Sequence, residues 1–331
     1  MSLFMDDISL LREHLIQKLA SGIDPIEQMV LQPIQGEGKM LRPRLVLMAN
    51  CLFAPPSEPT LDVALAVECI HTASLIHDDI IDQSYLRRGQ PSTVSLYGPQ
   101  AAVLIGDHYF ATAFRLLASH GLCSILHDLA GVVSDMCTGE IRQDLDLYNP
   151  YLSEDDYFSN VFGKTASLFA GACRAGAMTA GAPEESIQAL GQIGLHLGNA
   201  YQLTDDVLDF TADEAELGKP TGSDLKNGII TLPVIRALTV SPEREWLART
   251  ITSKKISNDD VARASAIITR CGALNYTRAV INEHLNQAHR LLHGFAPSPA
   301  RERFMTFGSN LTGGYIFDSI QSNLASEAGR G

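Results

Sequence analysis

The chain has 331 residues, 45% of them apolar, and a formal net charge of −13 at pH 7. That is enough apolar material for a sizeable core, in one large domain or two ordinary ones. The acidic balance argues against nucleic acid as a partner, since such proteins present a basic footprint. Six widely spaced cysteines (Cys51, Cys69, Cys123, Cys137, Cys173 and Cys271) include no C-x-x-C pair. They speak against zinc or a disulfide framework and for a reducing compartment.

The first residues, Met1 to Asp7, form no basic n-region, and no run of about 18 uninterrupted apolar residues follows. The reading is a cytoplasmic protein, with residues 1–5 disordered and 324–331 a flexible tail. Between 6 and 20, Ile8, Leu11, Leu15 and Leu19 make one helical stripe. Gly36 to Arg44 breaks it, and Pro43 suits the first turn of the next helix. Lys39 and Arg42 then stand beside a helix N-terminus, a natural place for an anion; a solvated basic loop is the alternative. Pro55 to Thr60 reads as a loop, with Thr60 as N-cap of an apolar helix from Leu61 to about Gln83.

That helix ends in Asp78-Asp79-Ile80-Ile81-Asp82, followed by Arg87-Arg88-Gly89. Asp78 and Asp82 are one turn apart and Asp79 and Asp82 three residues apart, so three carboxylates crowd one face. They also sit at the helix end where the dipole opposes negative charge. Hard oxygen ligands with room for waters and phosphates describe a magnesium site better than a salt bridge.

A second apolar helix, Gln100 to about Ser119, carries Asp107 and reads as core or dimer interface. Another runs through Val132, Val133 and Met136 to Glu140, Gln143 and Asp144; its polar tip lines a cavity or is simply an exposed helix end. Lys164-Thr165 precedes the small-residue run Leu168 to Ala172. Pro183-Glu184-Glu185 opens a long helix leading to Asp205-Asp206-Val207-Leu208-Asp209, a second copy of the acid pattern. Gly191, Gly194 and Gly198 weaken that helix unless neighbours approach closely. Gln202 lies three residues before Asp205. The turn-rich stretch Gly218 to Gly228 carries Lys219 and Lys226 and matches neither a Walker A loop nor G-x-G-x-x-G. Helical patterning resumes after Pro233, and no strand alternation is convincing. The expected fold is all-α: one domain over 1–331, a large helical bundle around a central apolar cavity.

Two acid clusters ending two apolar helices, rimmed by Lys39, Arg42, Arg87, Arg88, Lys164, Lys219 and Lys226, predict a substrate anionic at one end and apolar at the other. With these residues in view, the sequence resembles the trans-isoprenyl diphosphate synthase (polyprenyl synthetase) family over nearly its whole length. Asp78-Asp79-x-x-Asp82 with Arg87-Arg88-Gly89 resembles the family's first aspartate-rich motif. Asp205-Asp206-x-x-Asp209 with Gly218-Lys219-Pro220 resembles the second, and Gly38-Lys39-x-x-Arg42-Pro43 resembles the homoallylic diphosphate motif. The resemblance implies a prenyltransferase that joins an allylic diphosphate to isopentenyl diphosphate. Asp78, Asp82 and Asp205 would ligate three Mg2+ ions (Mn2+ being an alternative), with Asp79, Asp206 and Asp209 in support. Arg87, Lys164 and Lys219 would hold the allylic diphosphate, and Lys39, Arg42, His71 and Arg88 isopentenyl diphosphate. Thr165 and Gln202 would steady the allylic cation. His71 by itself reads as an ordinary helix histidine. Ile229 stands where many relatives have a lysine, leaving Lys226 as the nearby cation.

The helix ending in Asp78 also serves as a ruler. Ser74 and Ala73 lie about 6–7.5 Å below the acids, and Ile70 and Val67 about 12 and 16.5 Å. Short-chain members carry a bulky aromatic at the first level; here both residues are small, which predicts a medium- or long-chain product. Val132, Val133 and Met136 complete the expected floor, unless a bulky group from another helix fills the gap. The alternatives are a farnesyl or geranylgeranyl synthase, a class I terpene cyclase, a regulatory subunit of a heteromeric synthase and a calcium-binding helical protein. Residues 205–213 fit the cyclase pattern less well, and no EF-hand loop is present. The family resemblance also implies a homodimer, with membrane contact at most transient during product release.

Overall fold

The computed structural model describes residues 8–20, 22–35, 38–87, 89–211 and 221–312. The expected disorder of 1–5 and the tail 324–331 lie outside them, as do Arg88 and Lys219. The described residues are all-α apart from one two-stranded hairpin. The elements in order are α1 (Ile8–Leu19), α2 (Asp24–Leu31) with a 3-10 turn (Gln32–Ile34), α3 (Leu41–Cys51) and α4 (Glu58–Ile81). The hairpin β1 (Leu86–Arg87) and β2 (Gln90–Pro91) follows, then α5 (Thr93–Ser119), α6 (Cys123–Leu145), α7 (Glu154–Val161), a π-helical turn (Phe162–Ala166) and α8 (Ser167–Thr179). The rest is α9 (Glu184–Thr211), α10 (Ser223–Lys226), α11 (Leu232–Val240), α12 (Arg244–Thr252), α13 (Asn258–Arg270), α14 (Ala273–His293) and α15 (Pro299–Asn310).

Backbone packing groups the chain into two units. The first holds Met1–Val133, Leu168–Gly191 and Ser298–Arg301; the second holds Ser134–Ser167, Gln192–Pro297 and Glu302–Gly331.

In the first unit, α1 buries Leu11, Leu15 and Leu19 on one stripe, as their spacing predicts. Its polar edge grips α4 through Lys18, whose Nζ lies 2.9 Å from the buried Asp62; His120, from the C-terminal end of the helix Thr93–Ser119, places Nε2 2.8 Å from the same carboxylate. Helix α4 starts three residues earlier than expected. Ser57 is its N-cap, Pro59 fits the first turn, and Thr60 becomes the third residue, its Oγ1 accepting the Ser57 N–H at 3.2 Å. By composition α4 could cross a membrane, but 67% of its apolar window is packed inside the unit, and it ends in carboxylates. Helix α5 bends at Gly98 (φ 80) ahead of Pro99, so its long straight part begins where the sequence predicts.

In the second unit α7 and α13 each open with a reciprocal capping box, Ser153–Asp156 and Ser257–Asp260. All six cysteines are free thiols. Cys69 and Cys173 are fully buried; burial pushes both thiols up, Cys173 to about 12, which suits small core residues.

Candidate active site

In the first unit the last turn of α4 presents its three acids in unlike settings. Asp79 is 2% exposed, Asp78 is half-buried, and Asp82, the C-cap, is exposed. The hairpin brings Arg87 back onto Asp79. Arg87 Nε donates to both carboxylate oxygens at 3.0 and 2.9 Å, and Nη2 donates to Oδ1 at 2.7 Å. Ser92 Oγ closes the hairpin on the Ser84 carbonyl at 2.7 Å. A forked, partly buried charge pair of this kind supplies local neutralisation for an acid cluster at a helix C-terminus.

Arg42, 9% exposed, lies 2.9 Å through Nη1 from His71 Nε2, and its guanidinium stacks 5.0 Å from the Phe169 ring centroid. Arginine only donates, so His71 Nε2 is the acceptor and the imidazole is neutral in this pair. The structure thus places Arg42 against His71 and an aromatic ring, whereas Lys39 is exposed. Between them Met40 takes a left-handed conformation (φ 44) while staying buried. Beside this group opens a cavity of about 660 Å³ lined by His71, Leu75, Asp79, Arg87, Gly38 and Arg12 among others.

In the second unit the key element is the π turn after α7. Gly163 within it meets Gly139 of α6 backbone to backbone: a Cβ added to Gly163 would fall 2.5 Å from Gly139 Cα and 2.9 Å from the Asp135 carbonyl oxygen. The contact seats Lys164 over Glu140, Nζ to Oε2 at 3.5 Å, and Gln143 Nε2 steadies the other Glu140 oxygen at 3.4 Å. The polar tip of α6 therefore holds Lys164 and is more than an exposed helix end. Next along the turn, the Thr165 hydroxyl donates to Gln202 Oε1 at 2.8 Å, and Gln202 Nε2 donates to Asp206 Oδ1 at 3.1 Å. The Tyr157 hydroxyl donates to the other Asp206 oxygen.

Asp206 is 1% exposed, and burial pushes its carboxyl up to about 7; Asp224 and Asp205 add to the rise, while the Tyr157 and Gln202 donors oppose it. Asp209, also 1% exposed, accepts the Ser223 hydroxyl at 2.9 Å and the Asp224 N–H at 3.2 Å, capping α10. Asp205 is exposed. Both acid motifs therefore follow one rule. Their interior aspartates are engaged by protein donors, while Asp78, Asp82 and Asp205 present more of their surface to solvent.

Lys226 is turned to Asn258 Oδ1 at 2.7 Å on the exposed side of α10. On the ruler face Ala73, Ile70 and Val67 are fully buried, and half-buried Ser74 returns its hydroxyl to the His71 carbonyl at 2.9 Å. One turn from Ser74, His77 packs over Gly106 of α5, its ring centroid 5.8 Å from that of Phe110, which stacks in turn on Phe114 at 6.5 Å. Val132 is buried against Gly171 of α8.

Sequence reasoning missed Tyr157, Glu140 as the partner of Lys164, and Phe169. Tyr157 stands seven residues before Lys164, a two-turn spacing that a search for partners of the second motif would have found.

The remaining question is whether these donors fit a divalent cation. Among the described residues no three His, Cys, Asp or Glu side chains gather into a ready-made metal cage. Magnesium rarely uses one: it takes one or two carboxylates and completes its shell with water and phosphate oxygens. Asp78 and Asp82 in the first unit, and Asp205 in the second, are donors of that kind.

The described geometry has counterparts among known proteins. The polyprenyl synthetase family model matches residues 24–268. Heptaprenyl diphosphate synthase component 2 of Geobacillus stearothermophilus is 36% identical over 300 residues, 91% of this chain and 93% of that protein. The short chain isoprenyl diphosphate synthase of Methanothermobacter thermautotrophicus is 38% identical over 275 residues, 81% of this chain and 84% of that protein. Among solved structures, a polyprenyl synthase from Caulobacter crescentus, complexed with calcium and isoprenyl diphosphate, superposes with a TM-score of 0.88 at 32% identity, covering 94% of this chain and 95% of that one.

Proposed function

The chain belongs to the polyprenyl synthetase family, and on that premise we propose that it condenses an allylic diphosphate with isopentenyl diphosphate to build a medium- or long-chain all-trans polyprenyl diphosphate. The observation that carries the reading is the division within each D-D-x-x-D motif. Asp79, Asp206 and Asp209 are buried against protein donors, whereas Asp78, Asp82 and Asp205 are more exposed, which supports the family's use of these three as ligands, of three Mg2+ by resemblance. Magnesium, when bound, supplies Lewis-acid stabilisation of the departing diphosphate.

The protein's own part is electrostatic. By the family resemblance, Lys164, steered by Glu140 in the second unit, and Arg87 in the first would each bring positive charge to the leaving diphosphate, favouring cleavage of the allylic C–O bond with the electron pair on oxygen. The Thr165 and Gln202 oxygens, fixed by their mutual hydrogen bond, offer lone pairs to the allylic cation left behind. Arg42 and His71, with Lys39, hold the second diphosphate so that its double bond attacks that cation. The proton then lost passes to the released diphosphate, so no dedicated protein base is needed.

Product length is the part on which the relatives' names diverge. Small Ala73 and Ser74 support the longer product, and aromatic bulk returns with Phe110 and Phe114 of α5. Two intact acid motifs support a catalytic chain, acting as a homodimer or, as the name of the Geobacillus relative raises, with a second component.

The test is a product assay with radiolabelled isopentenyl diphosphate, magnesium and farnesyl diphosphate, dephosphorylated products being sized by chromatography. Products longer than geranylgeranyl support the proposal. Arrest at farnesyl or geranylgeranyl keeps the enzyme class and sinks the length assignment. Absence of turnover that an added second chain restores points to the two-component arrangement.

A further inference from the structure

The cavity of about 660 Å³ in the first unit has a cationic wall residue to which the site described above gives no role. Arg12, on α1, lines it together with Gly38, His71, Leu75 and Arg87. The two arginines of this cavity differ in what they hold. Arg87 is forked onto Asp79 by three short bonds. Arg12 makes a single long contact, Nη2 to the Gly38 carbonyl oxygen at 3.4 Å, with a neutral acceptor. Glu68 also lines the cavity and has an engagement of its own. A part-buried guanidinium with five donors and one weak neutral partner is an anion receptor waiting for its anion.

Its position is enforced. Leu11, Leu15 and Leu19 anchor α1 at 0–1% exposure, and Lys18 and His14 clamp the same helix onto the buried Asp62, at 2.9 and 3.9 Å. Arg115 Nη2 adds a bond to the Lys18 carbonyl at 3.2 Å, at the C-terminal end of α1. Arg12 is therefore presented on a fixed helix, its Nη2 reaching the carbonyl of Gly38, the residue before Lys39.

We propose that Arg12 is a further binding residue for the diphosphate of isopentenyl diphosphate, reaching it from α1 beside Lys39, Arg42 and His71. The inference rests on the prenyltransferase reading above. Arginine suits the task because its planar fork grips two phosphate oxygens at once, which a lysine ammonium cannot do.

The experiment is calorimetric titration of isopentenyl diphosphate into the protein without allylic partner, for wild type, Arg12→Gln and Arg12→Lys, with farnesyl diphosphate plus magnesium as the parallel titration. Arg12→Gln is expected to weaken isopentenyl diphosphate about tenfold or more. Arg12→Lys should recover part of that loss, and farnesyl diphosphate affinity should stay within about twofold of wild type. Unchanged isopentenyl affinity in Arg12→Gln overturns the proposal, as does an equal loss for both ligands, which would mean a general disturbance of the unit. Should Arg12→Gln not fold, Arg12→Lys decides: wild-type affinity there overturns the proposal, because the fork is gone. A wild-type protein that binds no isopentenyl diphosphate would instead overturn the prenyltransferase reading, with Arg12 still of normal exposure and the protein folded.

Discussion

Replacing Gly163 by alanine puts the geometry of the π turn to the hardest test. The new Cβ would fall 2.5 Å from Gly139 Cα, 3.0 Å from Gly139 N and 2.9 Å from the Asp135 carbonyl oxygen. Carbon–carbon contacts settle near 3.5–4.0 Å, so about 1 Å must be found, and every obstructing atom is backbone. No rotamer change can supply it. The helix and the turn must separate, at a cost of about 1–3 kcal/mol, the usual range for overpacking. Lys164 and Thr165 follow Gly163 directly in the chain, so they move with it. A displacement near 1 Å in a catalytic group costs about a hundredfold in rate. The assay measures kcat with saturating substrates alongside the thermal midpoint, comparing Gly163→Ala with Gly131→Ala. The latter makes the same exchange in α6 where nothing lies within 4 Å, so it should leave activity unchanged and raise stability by up to about 1 kcal/mol. A Gly163→Ala enzyme with kcat within threefold of wild type would refute the reasoning, since the contact would then not be what positions Lys164 and Thr165.

Ser74→Phe places an aromatic ring on the ruler face at a half-buried position; it should shift the product ladder to shorter chains with little loss of stability, and chromatography of the products reads it. Tyr157→Phe removes a donor from buried Asp206 and should lower stability by about 1–3 kcal/mol in urea unfolding; a change below about 0.5 kcal/mol would mean the bond carries no weight. Asp62→Ala strips the partner from Lys18 and His120 and should loosen α1, seen as faster amide exchange over residues 8–19 than in the rest of the first unit. In the second unit His284 sits 2.9 Å, Nδ1 to Nδ1, from His196, and burial followed by that neighbour lowers it from 6.5 to about 4. The unfolded chain binds the proton first, so the stability present above about pH 6.5 drains away as pH falls towards 4, by roughly 2 kcal/mol after allowing for part exposure. Urea midpoints between pH 7 and 4.5 should fall less steeply in His284→Leu, and parallel slopes would discard the assignment.

How far the sequence could be read depended on whether a feature is written in spacing or in tertiary partnership. The two D-D-x-x-D motifs, the leucine stripe of α1, the start of α9 after Pro183 and the straight part of α5 from Gln100 are all local, and the structure has them where the pattern does. The start of α4 was read three residues late because Thr60 and Ser57 are both good caps, and only the reciprocal bond decides between them. The π turn left no mark at all: Phe162 to Ala166 is helical in pattern, and the partner it packs against, Gly139, lies 24 positions upstream. The middle aspartates make the point most sharply. Asp79 and Asp206 occupy the same letter of the same motif, yet Asp79 is paired with an arginine eight residues on, whereas Asp206 receives, among the described residues, the neutral donors Tyr157 and Gln202. The first is paired with a cation, whereas burial drives the second up to about 7. Two D-D-x-x-D stretches spelled alike thus differ in electrostatics, and the difference lies in the residues outside those five letters that pack against them.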